Sequence, residues 1–349
     1  MVMAMAAMPV CAADTAQLGF EWRLPPGFPP PSVPPDNPMS VQKVALGRRL
    51  FFETRLSITG DYSCATCHRP ELAYTDGKPH ALGATGEQVR RSAMSLANVA
   101  YNPSFTWGDS RIGSLEAQMR QPLFSEHPVE MGLSGDGATA LRALALDAAY
   151  AAQFDAAFPG GASLSMQHVI QAIAAFERTL ISGRSPFDRY VFDDDRRALS
   201  ESAQRGMALF YSARIGCSQC HFGINFSGPI VYEGHAKAAA IYANTGLYDV
   251  DGHGSYPGGD QGLKEITRRA QDMGKFRVPT LRNVALTAPY MHDGSLANLD
   301  AVLDHYRRGG QHSPRQDPKI RPFSLTAGER ADLIAFLTSL TDREFARNP

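Results

Sequence analysis

The stretch SCATCH, Ser63 to His68, sets two cysteines and a histidine into one short run, and CSQCH, ending at His221, repeats the pattern. Three chemistries use such a run: a zinc site, a redox dithiol and a covalent haem anchor. Zinc takes four ligands, and each pentad supplies at most three in tight local geometry. A thioredoxin-like dithiol belongs in a βαβ context, which is missing here. Cys-x-x-Cys-His suits haem c, because cysteines three apart both reach the vinyl groups of one porphyrin while the adjacent histidine meets the iron. Five cysteines are present, and the four beyond Cys11, namely Cys64, Cys67, Cys217 and Cys220, all lie in the two pentads. Two covalent haems c, with His68 and His221 as proximal ligands, are therefore expected.

Working outward, the pentads share a prelude. Gly47-Arg-Arg-Leu50-Phe51-Phe52 precedes the first, and Gly206-Met-Ala-Leu209-Phe210-Tyr211 precedes the second. Both read as the end of a helix followed by a short loop, so one small helical unit is used twice. Ser40 is a plausible N-cap for the first of these helices. Val169, Ile173, Phe176 and Leu180 keep helical spacing, with a stop at Gly183 and Pro186. Leu333, Phe336, Leu337 and Leu340 line a final helix opened by Ser324 to Glu329. No run alternates convincingly as strand. The expected fold is mostly α, with two haem-binding domains joined by long loops.

The 349 residues suit two domains. Apolar content of 44% describes a globular chain, and a net charge of -1 gives no reason to expect nucleic acid or an anionic membrane as partner. Apolar runs such as Val284 to Leu286 are too short for membrane insertion. The opening MVMAMAAMPVCAADTAQ has no Lys or Arg before Arg23, yet its small apolar residues read as the end of a secretory signal cleaved near Cys11-Ala12-Ala13. With the cysteine chemistry, it points to export to the periplasm. The proline-rich run that follows favours an extended arm on the surface. The expected divisions are a signal remnant at 1–13, the arm at 14–38, and haem domains at 39–185 and 186–349.

The chain resembles the bacterial dihaem cytochrome c peroxidase and MauG superfamily. The likeness rests on ALGRRLFFETRLS before the first pentad, SLANVAYNPSFTWGDSR, QPLFSEHPVEMG, ERTLISGRSPFDRY and FRVPTLRNVALTAPYMHDGSLANLDAVLDHY, and runs from Ser40 to Leu340. It implies cytochrome-c-like domains with a calcium ion between them. The haem on His68 would be five-coordinate and meet hydrogen peroxide; that on His221 would be six-coordinate and store an oxidising equivalent. Peroxidases of the family carry methionine fourteen residues after the histidine of their His-Asp-Gly motif, and MauG-like members carry tyrosine. Here that count from His292 falls on Tyr306. A phenolate favours oxidised iron, whereas a thioether favours ferrous iron. His305, Met291 and Met273 remain alternatives for this ligand.

By the same resemblance, Glu130 moves a proton between the peroxide oxygens, with Gln118 and Pro122 beside it. The interval from Gln118 to Glu130 is two residues longer than the family pattern, so the loop should bulge. His127 adjoins it, and His80 lies near, but not at, the place of a capping histidine. Trp107 matches a tryptophan between the haems. Thr287 and Pro289 match carbonyl ligands of the calcium ion, with Ser92 where an asparagine is usual. MauG proper has a surface tryptophan just before its second pentad; Ala213-Arg214-Ile215-Gly216 holds no aromatic. The MauG-like enzymes of methanobactin operons, which oxidise a tryptophan of a copper-binding partner to kynurenine, are the suggested branch. The implied activity uses peroxide to reach a high-valent (bis-ferryl-like) state that oxidises a tryptophan on a periplasmic partner protein. The alternatives are a peroxidase fed by a small cytochrome c or cupredoxin, and a non-catalytic electron carrier.

Overall fold

Two helix crossings of the same design organise the chain. The computed structural model describes residues 20–160 and 164–347; the stretch read as a signal remnant lies outside them. The first half holds α1 (Val41–Phe51), α2 (Cys64–Cys67), α3 (Leu115–Phe124), α4 (Ala138–Ala145), α5 (Ala148–Ala157) and α6 (Met166–Arg178). The second holds α7 (Pro186–Phe192), α8 (Glu201–Phe210), α9 (Lys264–Thr267), α10 (Leu299–Arg308) and α11 (Ala327–Ser339). The strands β1 (Tyr242–Ala243) and β2 (Phe276–Arg277) form an antiparallel ribbon, with Tyr242 opposite Arg277. The molecule is mostly helical, with long loops, as expected.

The repeated glycines explain the crossings. A Cβ on Gly47 would stand 1.8 Å from the carbonyl oxygen of Ala172, and one on Gly206 would stand 1.9 Å from that of Asp332. Only glycine lets α1 lie on α6, and α8 on α11, at that separation. One turn later, Phe51 meets Phe176 edge-on at 5.3 Å, and Phe210 meets Phe336 at 5.1 Å. Each crossing anchors its own apolar core. One is built around Leu46, Leu50, Phe51, Ile173 and Phe176, the other around Phe187, Phe210, Phe226, Leu333 and Phe336.

Three details depart from the sequence reading. Helix α6 stops at Arg178, capped by Thr179, so Leu180 packs from beyond its end. Thr326, rather than Ser324, caps α11, accepting from the Glu329 amide while Glu329 accepts from the Thr326 amide. The proline-rich arm is docked rather than laid on the surface. Phe28 is buried against Tyr101 and under the Arg282 guanidinium, and Asn37 is buried between Lys43 and Glu116.

Candidate active site

Each pentad sits on a short helical turn that fixes its histidine. In α2, Thr66 accepts from the Ser63 amide, and the His68 amide closes on the Cys64 carbonyl at 2.9 Å. In the second pentad the His221 amide closes on the Cys217 carbonyl at 3.0 Å. The two imidazoles are then held alike: Nδ1 of His68 lies 2.8 Å from the Tyr74 carbonyl, and Nδ1 of His221 lies 2.8 Å from that of Phe226. A carbonyl only accepts, so Nδ1 carries the proton and Nε2 keeps its lone pair for a metal. Both carbonyls come from residues held at left-handed φ, 63° for Tyr74 and 49° for Phe226. Non-glycine residues in that region are uncommon, and their recurrence at both histidines marks a functional constraint. Burial pushes both imidazoles toward their neutral form, the form that binds iron.

The thiols argue against redox chemistry. Burial pushes Cys67 and Cys217 up to about 12, and raises Cys64 and Cys220 as well. A reactive dithiol needs the opposite shift. Among the described residues no cluster of three or more His, Cys, Asp or Glu side chains is placed to hold a metal ion, so a zinc set is not assembled.

Instead, each histidine opens onto a large cavity. The one beside His68, Cys64 and Cys67 encloses about 1390 Å³ of space free of protein atoms, its open mouth included. The one beside His221 and Cys217 encloses about 1500 Å³ on the same measure. Both are lined mainly by apolar side chains with a few polar groups converging on them, the character of a cofactor pocket. Between them lies a further sign of fit. Arg277 is 5% exposed, lines both cavities, and enters none of the ion pairs among the described residues. Among the described residues its guanidinium bonds only to the Thr106 carbonyl and the Met94 sulfur. A buried cation without a carboxylate is costly unless an anion joins it, and porphyrin propionates facing both cavities would supply that anion.

The remaining side chains sort onto the two cavities. Glu130, Gln118 and Pro122 line the His68 cavity. Burial raises the Glu130 carboxyl above the usual range. Its backbone is clamped: the Ala84 amide donates to the Glu130 carbonyl at 2.7 Å, and a Cβ on Gly83 would stand 1.8 Å from the Val129 carbonyl. The loop between Gln118 and Glu130 turns at the bridge between Glu126 and Val129, which leaves His127 exposed at its tip. His80 is bonded to the Val89 carbonyl and is not part of the cavity wall.

Tyr306 lines the His221 cavity. No hydrogen bond ties its hydroxyl to the described protein, and burial raises its phenol. The neighbouring Tyr290 hydroxyl is committed to the Val284 carbonyl at 2.9 Å. Among the alternatives, His305 is spent on the Thr245 carbonyl, and Met273 is packed in a separate apolar cluster. Met291 does contribute to the wall.

Trp107 lines both cavities, its indole N–H donating to the Ser92 carbonyl at 2.9 Å and its carbonyl accepting from the Arg277 amide. Ser92, Thr287 and Pro289 all line the His221 cavity, where the Ser92 hydroxyl donates to the Met291 carbonyl. Two residues escaped the sequence reading: Arg277 and the buried Glu177, which lines the His68 cavity with Oε2 unpartnered. Both lie in motifs quoted above, and their signal was a charged residue in an otherwise apolar helical or strand context.

Comparison with known proteins agrees with this arrangement. The family model for di-haem cytochrome c peroxidase matches residues 41–196. The methylamine utilization protein MauG of Methylorubrum extorquens is 37% identical over 329 residues, spanning 94% of this chain and 85% of that protein. The cytochrome-c peroxidase IdrP1 of Denitromonas iodatirespirans is 37% identical over 361 residues, spanning 98% and 93%. A solved structure of a MauG-like protein associated with microbial copper homeostasis superposes with a TM-score of 0.91 at 41% identity, covering 95% of this chain and 98% of that one.

Proposed function

The chain belongs to the di-haem cytochrome c peroxidase family of hydrogen-peroxide-using haem enzymes, and from that premise we propose that it is an exported, MauG-like oxidase. In this reading it takes two oxidising equivalents from peroxide and spends them on a tryptophan of a partner protein, toward kynurenine. Cys64, Cys67 and His68 would hold one haem c; Cys217, Cys220, His221 and Tyr306 would hold the other. When bound, the haems supply the peroxide-reactive iron and a store for oxidising equivalents.

The protein's own groups do the rest. Tyr74 and Phe226 aim the two imidazoles. Glu130, with its raised carboxyl, carries the proton from the near to the far oxygen of peroxide, with Gln118 and Pro122 shaping the space around it. Trp107, in the wall common to both cavities, shortens the distance an electron must cross between them. Arg277 balances negative charge on both sides. Ser92, Thr287 and Pro289 would hold a calcium ion, to which no catalytic step is attached.

One observation carries the choice of branch: the unpartnered hydroxyl of Tyr306 in the cavity of His221. The solved relative linked to copper homeostasis supports a copper-binding protein as the substrate. EPR and near-infrared spectra of the purified protein test the ligand. Phenolate ligation is expected, and Tyr306→Phe should convert the second haem to another spin state. An unchanged spectrum removes Tyr306, and a thioether signature transfers the role to Met291. That second outcome favours peroxide reduction with electrons from a small cytochrome c or cupredoxin, the reading consistent with the likeness to IdrP1. Mass spectrometry of a copper-binding candidate after treatment with enzyme and peroxide checks the product.

A further inference from the structure

Oxidising equivalents stored beside His221 need a way out, and no aromatic residue stands between Ala213 and Gly216 to provide one. Elsewhere the wall of the His221 cavity is aromatic. Phe276 and His292 lie in the wall, stacked at 3.6 Å. Tyr256 packs behind them, 5.9 Å from Phe276 and 6.2 Å from His292 between ring centres. Tyr248 follows, edge-on to Tyr256 at 5.5 Å and half-buried, two residues before Val250, which is 66% exposed. Tyr256 is also near enough to Tyr306 for a charge on one to be felt by the other. Trp107 packs against the same cluster.

Tyrosines in this row are not equivalent, because oxidation of a phenol at neutral pH requires loss of its proton. The Tyr256 hydroxyl donates to Asn244 and accepts from the Leu247 amide, so it has no base. The Tyr248 hydroxyl donates to Oδ2 of Asp293 at 2.5 Å. Oδ1 of that carboxylate is held by the Ser295 amide at 3.0 Å, and the Ser295 side chain bonds to the same pair. Among the described residues, Tyr150, donating to Glu53, is the other phenol bonded to a carboxylate, and it lines neither cavity.

We infer that Tyr248 is the outlet through which the stored oxidising equivalents leave, with Asp293 as its proton acceptor and Tyr256 as the relay between it and the His221 cavity. The inference rests on the reading of peroxide-driven oxidation given above. Tyr248 gives one electron inward through Tyr256. Its O–H bond breaks, the proton passes to Asp293, and a neutral phenoxyl remains. An oxidisable aromatic side chain on the partner then returns an electron, and Asp293 returns the proton. Each cycle moves one electron from partner to enzyme, and two cycles consume both equivalents of one peroxide.

The test uses the haem-loaded protein treated with one equivalent of hydrogen peroxide in the absence of a partner. Freeze-quench EPR follows the radical, absorption follows the oxidised haem state, and a nitroso spin trap with peptide mapping locates the radical. A tyrosyl signal and a trap adduct at residue 248 are expected. Tyr248→Phe keeps the ring and removes the hydroxyl, and Asp293→Asn removes the base. Both should abolish the adduct and lengthen the life of the oxidised state. An adduct elsewhere, or wild-type decay in Tyr248→Phe, overturns the outlet while leaving the peroxide reading in place. Absence of any oxidised state in the unsubstituted protein overturns both.

Discussion

The two cavities share a floor and differ in their roofs. Below, each histidine gives its Nδ1 proton to the carbonyl of a left-handed residue, and a glycine-mediated helix crossing packs alongside. Above, the His68 cavity carries two carboxyls, Glu130 and Glu177. The His221 cavity carries no carboxyl and presents two phenols, Tyr290 and Tyr306. Carboxyls with raised affinity for protons suit a site where an oxygen–oxygen bond must be protonated as it breaks. An anionic oxygen donor without proton traffic suits a site that stores a positive charge. The same anchor is built twice, and a few side chains set the two cavities apart.

Glu130→Gln should break that division most visibly. It preserves the shape and removes the proton carrier, so single-turnover consumption of peroxide is expected to slow by about 10²-fold or more. Tyr306→Phe, in the other cavity, should leave this first step far less affected while removing the store. Equal losses in both variants would show that the cavities act as one site. Burial also fixes a sign: with the Glu130 carboxyl raised, the unprotonated form that takes up the first proton of peroxide is lost at a higher pH than an ordinary carboxylate would set. The acid limb of the rate profile should therefore lie above the usual carboxylate range, and it should vanish in Glu130→Gln.

The shared floor is sharpened by a matched pair, Gly47→Ala and Gly206→Ala. Each new methyl meets a carbonyl oxygen, of Ala172 at 1.8 Å or of Asp332 at 1.9 Å, so the helices must separate. A cost of about 1–3 kcal/mol is expected for each, read from denaturant midpoints of the loaded protein. Comparable costs support one crossing used twice. A large effect at one glycine and none at the other would mean that the repeated motif performs different jobs in the two halves.

What the sequence made legible follows the range of the interactions involved. The pentads, the helix starts at Ser40 and the doubled glycine prelude are local patterns, and the structure contains them where they were expected. Residues 21–38 look like a loose arm in sequence, because nothing local says that Phe28 will find Tyr101 and Arg282. Arg277 and Glu177 show in the sequence only as charges in apolar stretches, which says nothing of what they face. Their significance lies in missing partners, and a missing partner is visible only once the neighbours from distant segments are in place. The outlet proposed at Tyr248 is of this kind too, since its carboxylate lies 45 residues further along the chain.

Glu177 gives the smallest and most specific test of the difference between the roofs. It is 6% exposed, and burial holds its carboxyl up to about 8, against 4.5 for a solvated glutamate, with Arg178 nearby opposing that rise. Between those two values the folded protein keeps a proton that the unfolded chain has released, so stability falls as pH rises through the interval. Glu177→Gln cannot ionise and loses that slope. Its unfolding midpoint relative to wild type should therefore improve steadily from about pH 5 to about pH 8, with both proteins carrying their haems. Tyr306→Phe should show no comparable trend over that range, because a phenol whose affinity for protons is raised stays protonated throughout, and an iron-bound phenolate stays ionised throughout. A flat difference for Glu177→Gln would mean that the carboxyl is already ionised in the folded state, paired with a positive charge that the cavity acquires only when loaded. The two roofs would then differ in one acid rather than two, and the proton chemistry would fall to Glu130 alone.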